Sequence, residues 1–382
     1  MPAERSLTMA LLMPADESPL LAAAKIVSNG IIAASRLAGQ PANLLLIEAP
    51  SSVPLSARLD AAVVAGADVV IGPLKKDSVE ELAANKDLPI PVVALNFSAD
   101  REKTAPAYML MMSASYVLEA DDVARMAAGA IPDGLPKKVL ILKSAQPWEE
   151  RVAQAYRTTL DAEGVQYSEF TVTQENLRSV RSLAAEGYQC TLLALDARTA
   201  GLVRNLLPMR MRVWATSATN PGDPDVSAAA STLSYDLNNV VFSDSPILNR
   251  YNADTFAAHF RSQMPYSVPA RELFALGADA YSVAEQFAHG RESYSLDGET
   301  GHLEVNRAET ALVSRTPAFY VIRDGQIYLA DTAEVAQKGS VLPKLTLTPK
   351  VKAVSTGETA DGGDDSTSGS GSGSSASSSV LP

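Results

Sequence analysis

The chain has 382 residues, of which 46% are hydrophobic, and it carries a formal net charge of −12 and a single cysteine. This length allows two compact lobes, and the lone Cys190 excludes a disulfide within the chain. The acidic balance disfavours a nucleic-acid surface and a polybasic membrane patch, and no run of about 18 apolar residues is present to span a membrane.

The chain is organised around a βαβ unit at residues 69–98, which reads VVIGPLKKDSVEELAANKDLPIPVVALNFS. Two short apolar runs flank a helix that carries Val79 and Leu82, so the two strands are expected to be parallel and buried on both faces. Similar runs precede and follow this unit. The strands predicted for a first lobe lie at 7–13, 44–47, 69–71, 92–95 and 108–112.

The alternation of strands and helices restarts after the turn at Pro132-Asp133-Gly134 and predicts a second lobe of the same plan. A helix predicted at 113–131 precedes this turn, and the first helix after it, at 147–163, has Glu149 and Glu150 in its first turn and stops before Gly164. The strands predicted for this lobe lie at 139–142, 167–172, 191–195, 213–215 and 240–242.

The late part of the chain follows a different pattern. Two helices at 251–264 and 270–288 have no strand between them, and we expect them to return to the first lobe. Asp324-Gly325 between alternating runs predicts a hairpin. From Gly357 onward the composition is that of a flexible linker and cannot bury a core.

These elements predict an α/β protein with two doubly wound, Rossmann-like lobes. The ranges expected are 5–115 for the first part of lobe one, 116–243 for the first part of lobe two, 244–295 for the return to lobe one, 296–331 for the closing strands of lobe two, and 332–382 for a disordered low-complexity tail.

Several segments resemble a known architecture. The late helix LFALGADAY and the following LDGETGHLEV resemble the type I periplasmic-binding-protein fold, of the leucine-binding-protein kind, over about residues 7–331. The resemblance implies that the helix at 273–281 belongs to lobe one. It also implies that the turn at 297–301 starts the closing strands of lobe two.

Within that superfamily, five segments look like the penicillin-binding-protein activator lipoproteins of the LppC type: MALLMP, VVIGPLKKDSVEEL, PVVALN, WEERVAQAY and WATSATNPG. The resemblance implies a non-enzymatic protein of the cell envelope that binds and activates a peptidoglycan-synthesising penicillin-binding protein. The alternative is a periplasmic receptor that binds a small polar solute, such as an amino acid, for an ABC uptake system.

The N-terminus has no charged region followed by a long apolar run and a cleavage site, so it shows no leader-peptide pattern. A helical-repeat N-terminal domain, found in the best-known members of the activator family, is also not visible in this sequence. The resemblance therefore covers their C-terminal domain. It implies the periplasm or the outer membrane as the location, while the sequence by itself leaves the cytoplasm open.

Ligands of doubly wound sheets bind beyond the carboxyl ends of the strands, so the loops there are the candidate cleft. Lys75, Lys76 and a helix N-terminus could hold an anion, although a solvated helix start is the simpler interpretation of the two lysines. Trp148 is more typical of packing than of ligand contact. The candidate cleft residues are Asp16, Ser18, Gly72, Pro73, Lys75, Asn96, Ser98, Ser144, Trp148, Thr216, Ser217 and Asp244.

An amino-acid binder needs donors for the ligand carboxylate and an acidic group for the ammonium, both buried and paired. Ser98 is a plausible donor, but the loop after Trp214 has no carboxylate before Asp223. Three outcomes stay open: an α-amino acid, another polar or anionic ligand, or a cleft that binds nothing tightly.

Signals of enzyme chemistry are poor. The sequence has no P-loop, no HExxH and no nucleophile elbow, and its three histidines fall in separate predicted elements. Metal-ligand spacings are absent, so neither a cofactor nor a metal is expected.

Overall fold

The structure is a computed structural model that describes residues 6–14, 20–47, 52–98, 104–223, 227–248, 256–260, 262–265 and 267–330. Two predicted cleft residues, Asp16 and Ser18, lie outside the described residues, and so does the predicted tail at 332–382.

The first sheet has five parallel strands in the order β2-β1-β3-β4-β5. All residues of four of these strands are buried, because continuous apolar runs suit a sheet covered on both faces. The strand β2 is the partly exposed edge. The bounds are β1 Thr8–Leu11, β2 Asn43–Leu46, β3 Val69–Ile71, β4 Val92–Ala94 and β5 Met109–Met111.

Helices cover both faces of this sheet. One face packs against α2 (Leu55–Val64) and α3 (Lys76–Ala83), and the other against α1 (Leu21–Leu37).

The second sheet has seven strands in the order β15-β14-β10-β9-β8-β6-β7. Five of them are parallel, and β14 and β15 are joined antiparallel at one edge. The hairpin predicted at Asp324-Gly325 is confirmed, because Arg323 pairs with Gln326 across it. The strand bounds are β6 Lys138–Lys143, β7 Gln166–Thr171, β8 Cys190–Ala194, β9 Arg212–Ala215, β10 Val240–Asp244, β14 Ala318–Arg323 and β15 Gln326–Leu329.

Five α-helices in the described residues pack on the second sheet, and the inward faces of the first four of them in chain order form two apolar cores with it. Tyr156 of one helix is fully buried, and its hydroxyl donates to the carbonyl of Leu193 at 3.1 Å. The helix bounds are α4 Tyr116–Gly129, α5 Pro147–Ala162, α6 Val180–Leu183, α7 Ala197–Arg204 and α8 Ala228–Asp236.

Two late helices, α9 (Phe256–His259) and α10 (Val268–Ala288), pack on the first sheet's side of the molecule. The helix α10 crosses α1 at backbone contact. A Cβ atom at Gly30 would lie 2.0 Å from the carbonyl oxygen of Phe274, and one at Gly277 would lie 2.1 Å from that of Val27. Only glycine allows this approach of the two helices.

A third sheet of three antiparallel strands corrects the domain prediction for 296–331. The strands β11 (Ser293–Asp297), β12 (His302–Asn306) and β13 (Ser314–Thr316) are separate from the seven-stranded sheet. Their alternation buries one face, and Leu303 and Val305 pack into the core of the first sheet. Only the part from β14 onward closes the second sheet, so the assignment of this whole range to lobe two is wrong.

We call the first and third sheets with α1–α3, α9 and α10 the first lobe, and the second sheet with α4–α8 the second lobe. The chain passes between the lobes three times: from β5 to α4, from β10 towards α10, and from β13 to β14. These three crossings bring residues that are distant in sequence to one place.

Candidate functional site at the lobe junction

Two loops of the first lobe lie side by side, as the βαβ unit requires. Gly72 follows β3 with a φ of +110°, and a Cβ atom there would lie 2.3 Å from the carbonyl oxygen of Leu12. The amide of Leu95, just after β4, donates to the carbonyl of Pro73 at 2.9 Å. The loops are therefore held by their own backbones.

Most polar side chains of these loops form hydrogen bonds or ion pairs with other groups of the first lobe. The Asn96 amide donates to the carbonyl of Leu74 at 3.2 Å, and its oxygen accepts from the Phe97 amide at 2.9 Å. Lys75 is exposed and pairs with the exposed Asp77 at 3.0 Å. Ser98 is buried. Asn96 thus ties one loop to the other.

In the second lobe, a residue that the sequence analysis missed organises the loops. Glu149, at the start of α5, is 1% exposed and accepts from the Ser144 amide at 2.6 Å. Burial raises the pKa of this carboxyl, and hydrogen bonds from Ser144 and from the Asp196 backbone oppose that rise. Glu149 thus joins the loop after β6 to the loop after β8.

Trp148 has the packing role that its residue type suggests. Its ring lies 5.7 Å from that of Tyr116, centroid to centroid, at an interplanar angle of 60°. Both side chains border the apolar core between the second sheet and α4. Trp148 therefore joins α5 to the start of α4.

Thr216, Ser217 and Asp244 come together at the ends of β9 and β10, and each is at most 2% exposed. The Asp244 carboxylate accepts from the side chain of Asn220 and from the Ser245 amide, the latter at 2.7 Å. These three predicted cleft residues lie in the interior of the molecule, among charged groups that the sequence analysis did not select.

Five charged residues form this interior group, which we call the junction cluster. Four are carboxyl groups of residues at most 5% exposed, and one is a guanidinium on a side chain that is 5% exposed. They come from α4, from the end of β10, from two turns of α10 and from β13. The members are Glu119, Asp244, Glu272, Asp279 and Arg315.

The centre of the cluster is a buried ion pair. Arg315 donates through Nη2 to Glu119 Oε1 at 2.8 Å and through Nη1 to the carbonyl of Thr300 at 3.3 Å. The other oxygen of Glu119 accepts from the Ser217 amide at 2.9 Å and from the Ser243 hydroxyl at 3.0 Å. Glu119 thus connects α4 with the ends of β9 and β10 and with β13.

Asp279 binds the turn before β12. Its carboxylate accepts from the amides of Glu299 and Thr300, at 2.7 and 2.8 Å, and from the Thr300 hydroxyl at 2.6 Å. Burial raises the pKa of Asp279, while these donors and Arg315 act to lower it. A Cβ atom at Gly298 would lie 2.6 Å from this carboxylate, so the turn requires glycine there.

Asp244 and Glu272 are the members of the junction cluster whose negative charges are least offset by neighbouring groups. Burial raises the pKa of both well above the ordinary value, and the charge of Glu119 adds to the rise, while Arg315 opposes it. The Ser217 hydroxyl lies close enough to Glu272 to lower its pKa. Even so, neither Ser217 Oγ nor Glu272 Oε1 has a partner in good hydrogen-bond geometry among the described residues.

The same groups act on Arg315 and on a neighbouring tyrosine. Burial would lower the pKa of Arg315, but Glu119, Glu272 and Asp244 together raise it. Burial and these three carboxyl groups also raise the pKa of Tyr116 above its ordinary value. Arg315 therefore stays charged and Tyr116 stays neutral.

The arrangement is suited to holding two lobes together and to binding protons. A partly open recess beside the cluster, lined by Asn220, Leu248 and Arg271 among others, has a volume of about 10 Å³, the room of about one water molecule. The described residues contain no group of His, Cys, Asp and Glu arranged to hold a metal ion. Within the same ranges, no helix combines the length and apolar character needed to cross a membrane.

The chain matches one protein family over most of its length. The family model described as LppC putative lipoprotein matches residues 4–178 and 197–325. The penicillin-binding protein activator LpoA of Escherichia coli (strain K12) is 25% identical over 331 residues, which cover 75% of this chain and 47% of that protein. The chain thus spans about half the length of the curated relatives it matches.

Solved structures support the fold. A putative branched-chain amino acid ABC transporter from Chromobacterium violaceum is 27% identical, with a TM-score of 0.69 and coverage of 83% of this chain and 100% of that one. The LpoA (YraM) C-domain from Haemophilus influenzae, described as a regulator of PBP1A, is 19% identical, with a TM-score of 0.67 and coverage of 84% and 98%. The predicted type I periplasmic-binding-protein fold is confirmed.

Proposed function

The chain belongs to the LppC family, and from this premise we propose that it binds and activates a peptidoglycan-synthesising penicillin-binding protein. The observation that carries the proposal is the match of most of this chain to proteins named as activators of penicillin-binding proteins. The Haemophilus influenzae C-domain, which has the same fold, is described as a regulator of PBP1A.

The activation would be protein contact, not chemistry. A partner that binds one conformation of the synthase more tightly shifts the synthase towards that conformation. The buried polar groups of the lobe junction support a non-enzymatic role, because most of them bond to one another and to the backbone. We place the protein in the cell envelope, in the periplasm or at the outer membrane, on the strength of the lipoprotein family.

The proposal is tested with purified proteins. We expect the chain to bind a peptidoglycan synthase of the penicillin-binding-protein type in a surface-immobilised binding assay and to raise its rate of glycan polymerisation or crosslinking. A solute receptor of the same fold serves as the control and should do neither. Absence of both binding and rate change would contradict the proposal for this chain.

A second candidate is a receptor for a small polar solute, favoured by the likeness to the Chromobacterium violaceum protein over the whole of that chain. Such a receptor binds its ligand between the lobes as they close. A ligand at 100 times its Kd stabilises the folded state by about 2.7 kcal/mol. Thermal unfolding with each of the common amino acids should therefore show a rise of several degrees for one of them if this candidate is correct.

A further inference from the structure

The junction cluster lies where the lobes are connected. Glu119 is in the first turn of α4, immediately after the first crossing, and Asp244 ends β10, immediately before the second. Arg315 is in β13, immediately before the third. Glu272 and Asp279 of α10 approach from the first lobe. Any change in the angle between the lobes must therefore change the distances within this cluster.

The charges of the cluster do not balance when all members are ionised. Four carboxyl groups face one guanidinium, and the ion pair of Arg315 is made with Glu119. Asp244 accepts from two neutral donors, and Glu272 Oε1 has no partner among the described residues. Burial of a carboxylate without a cation costs free energy. Asp244 and Glu272 therefore need to be protonated when the lobes are packed together.

The groups that face these two carboxyls come from both lobes. Asp244 faces Glu119 and Arg315. Glu272 interacts electrostatically with Asp244 and with Tyr116. Arg315 is a cation that acts on both carboxyls, and Arg271, next to Glu272 on α10, lines the recess beside the cluster. Tyr116 is neutral. Asp122 of α4, whose pKa burial raises to about 6, adds one more acid near Glu119.

We propose that the junction cluster is a proton-operated latch: the lobes pack on each other while Asp244 and Glu272 hold protons, and loss of these protons drives the lobes apart about the three crossings. Separation admits water, which hydrates the new charges and removes the cost of burying them. This inference does not depend on the proposed activation of a penicillin-binding protein.

The direction of the pH effect follows from linkage. In the packed form the two carboxyls bind protons more tightly than in the open form, where hydration returns their pKa to about 4. Below that pH both forms are protonated, and the balance is independent of pH. As the pH rises from about 4 through the raised pKa, the open form gains, tenfold for each unit by which packing raises one pKa.

Two labelled positions can report the separation. Val64 of α2 is 87% exposed in the first lobe, and Met209 is 62% exposed in the second. Cys190 is 1% exposed and burial raises its pKa to about 12, so it should not react with a thiol-specific spin label. In the V64C/M209C chain we expect the distance distribution from pulsed electron resonance to lengthen between pH 5 and pH 9.

Substitutions test whether the lengthening of the label distance depends on the junction cluster. Glu272→Gln and Asp244→Asn mimic the protonated groups, and each should keep the distance short across the pH range, as should the pair together. Glu149→Gln is the matched control, because Glu149 is equally buried but lies within the second lobe. It should leave the lengthening intact. Far-ultraviolet circular dichroism at each pH confirms that the variants are folded.

The doubly labelled chain tests the latch even if a variant does not fold. A distance that stays constant from pH 5 to pH 9 overturns the proposal. So does a lengthening that persists unchanged in both Glu272→Gln and Asp244→Asn, and so does one that disappears in Glu149→Gln. Lengthening that these two junction variants suppress and the control retains supports it.

Discussion

Two buried carboxyl groups of this molecule show how different their surroundings can be. Glu149, inside the second lobe, accepts from backbone amides of the loops after β6 and β8. Glu272, at the lobe junction, faces two other carboxyls and has an oxygen without a partner among the described residues. Glu149 is a hydrogen-bonded part of its lobe. Glu272 can be buried at a lower cost in free energy because it can hold a proton.

The largest effect is expected from removing the single guanidinium of the junction cluster. Arg315→Ala leaves Glu119 buried without its cation, and such a loss typically costs about 3–5 kcal/mol. Urea unfolding at pH 7 measures this. Arg125→Ala is the control, because Arg125 is 52% exposed and pairs with Asp121 on the surface, so about 1 kcal/mol or less is expected. Equal losses in both variants would contradict the importance of the buried pair.

A smaller loss is expected where a carboxylate of the junction is well satisfied. Gly298→Ala places a Cβ atom 2.6 Å from the Asp279 carboxylate and must displace the turn that binds it. Such crowding typically costs about 1–3 kcal/mol. Gly129→Ala, at a helical position with open space, is the control and should be neutral or stabilising. A neutral Gly298→Ala would show that the turn adapts freely.

Glu149→Gln and Glu272→Gln should change the free energy of unfolding at pH 8 in opposite directions. Glu149→Gln turns an NH₂ group towards backbone amides and should destabilise by about 1–3 kcal/mol. Glu272 has a raised pKa in the folded state, so the stability that its proton provides is complete below the unfolded value and is lost as the pH rises through the folded value. Glu272→Gln avoids that loss.

Relative to the parent protein, Glu272→Gln should therefore gain stability with pH, by about 1.4 kcal/mol for each unit of the pKa shift. Chemical unfolding of the parent and of both variants at pH 5, 6, 7 and 8 measures these changes, and the sign of the change in stability at pH 8 separates the two groups. Parallel curves for the parent and Glu272→Gln would mean that Glu272 does not bind a proton on folding.

The smallest effect is expected at Lys75. Its side chain is 60% exposed and pairs with Asp77, which is 77% exposed. Lys75→Ala should therefore change the free energy of unfolding by less than about 0.5 kcal/mol. Addition of sulfate should stabilise the parent and the variant equally. A sulfate effect confined to the parent would restore the anion site considered from the sequence.

The fold was predictable because most of its parallel strands, apart from edge strands such as β7, are continuous apolar runs, which indicate burial on both faces. The placement of β11–β13 was not, because alternation shows that one face of a strand is buried but not which sheet it meets. Hydrophobic residues of β12, such as Leu303 and Val305, fit the core of either lobe by residue type. The structure assigns them to the first.

The junction cluster was missed although the sequence carries a signal for it. Glu119 lies four residues before the buried Val123 of α4, and Glu272 lies four residues before the buried Leu276 of α10, so both acids are on apolar helix faces. An acid in that position needs a buried partner. The partners, however, are 98 and 196 residues away for Glu119 and could be identified only from the structure.

The crossing of α1 and α10 determines how the junction cluster is connected to the first lobe. Gly30 and Gly277 let the two backbones touch at the crossing, and apolar side chains of both helices pack around it in one core. The helix that bears Glu272 and Asp279 is therefore packed closely against α1 of the first lobe. A rotation of the first lobe about the three crossings therefore moves these carboxyls a little and moves β2, the sheet edge opposite β5, more.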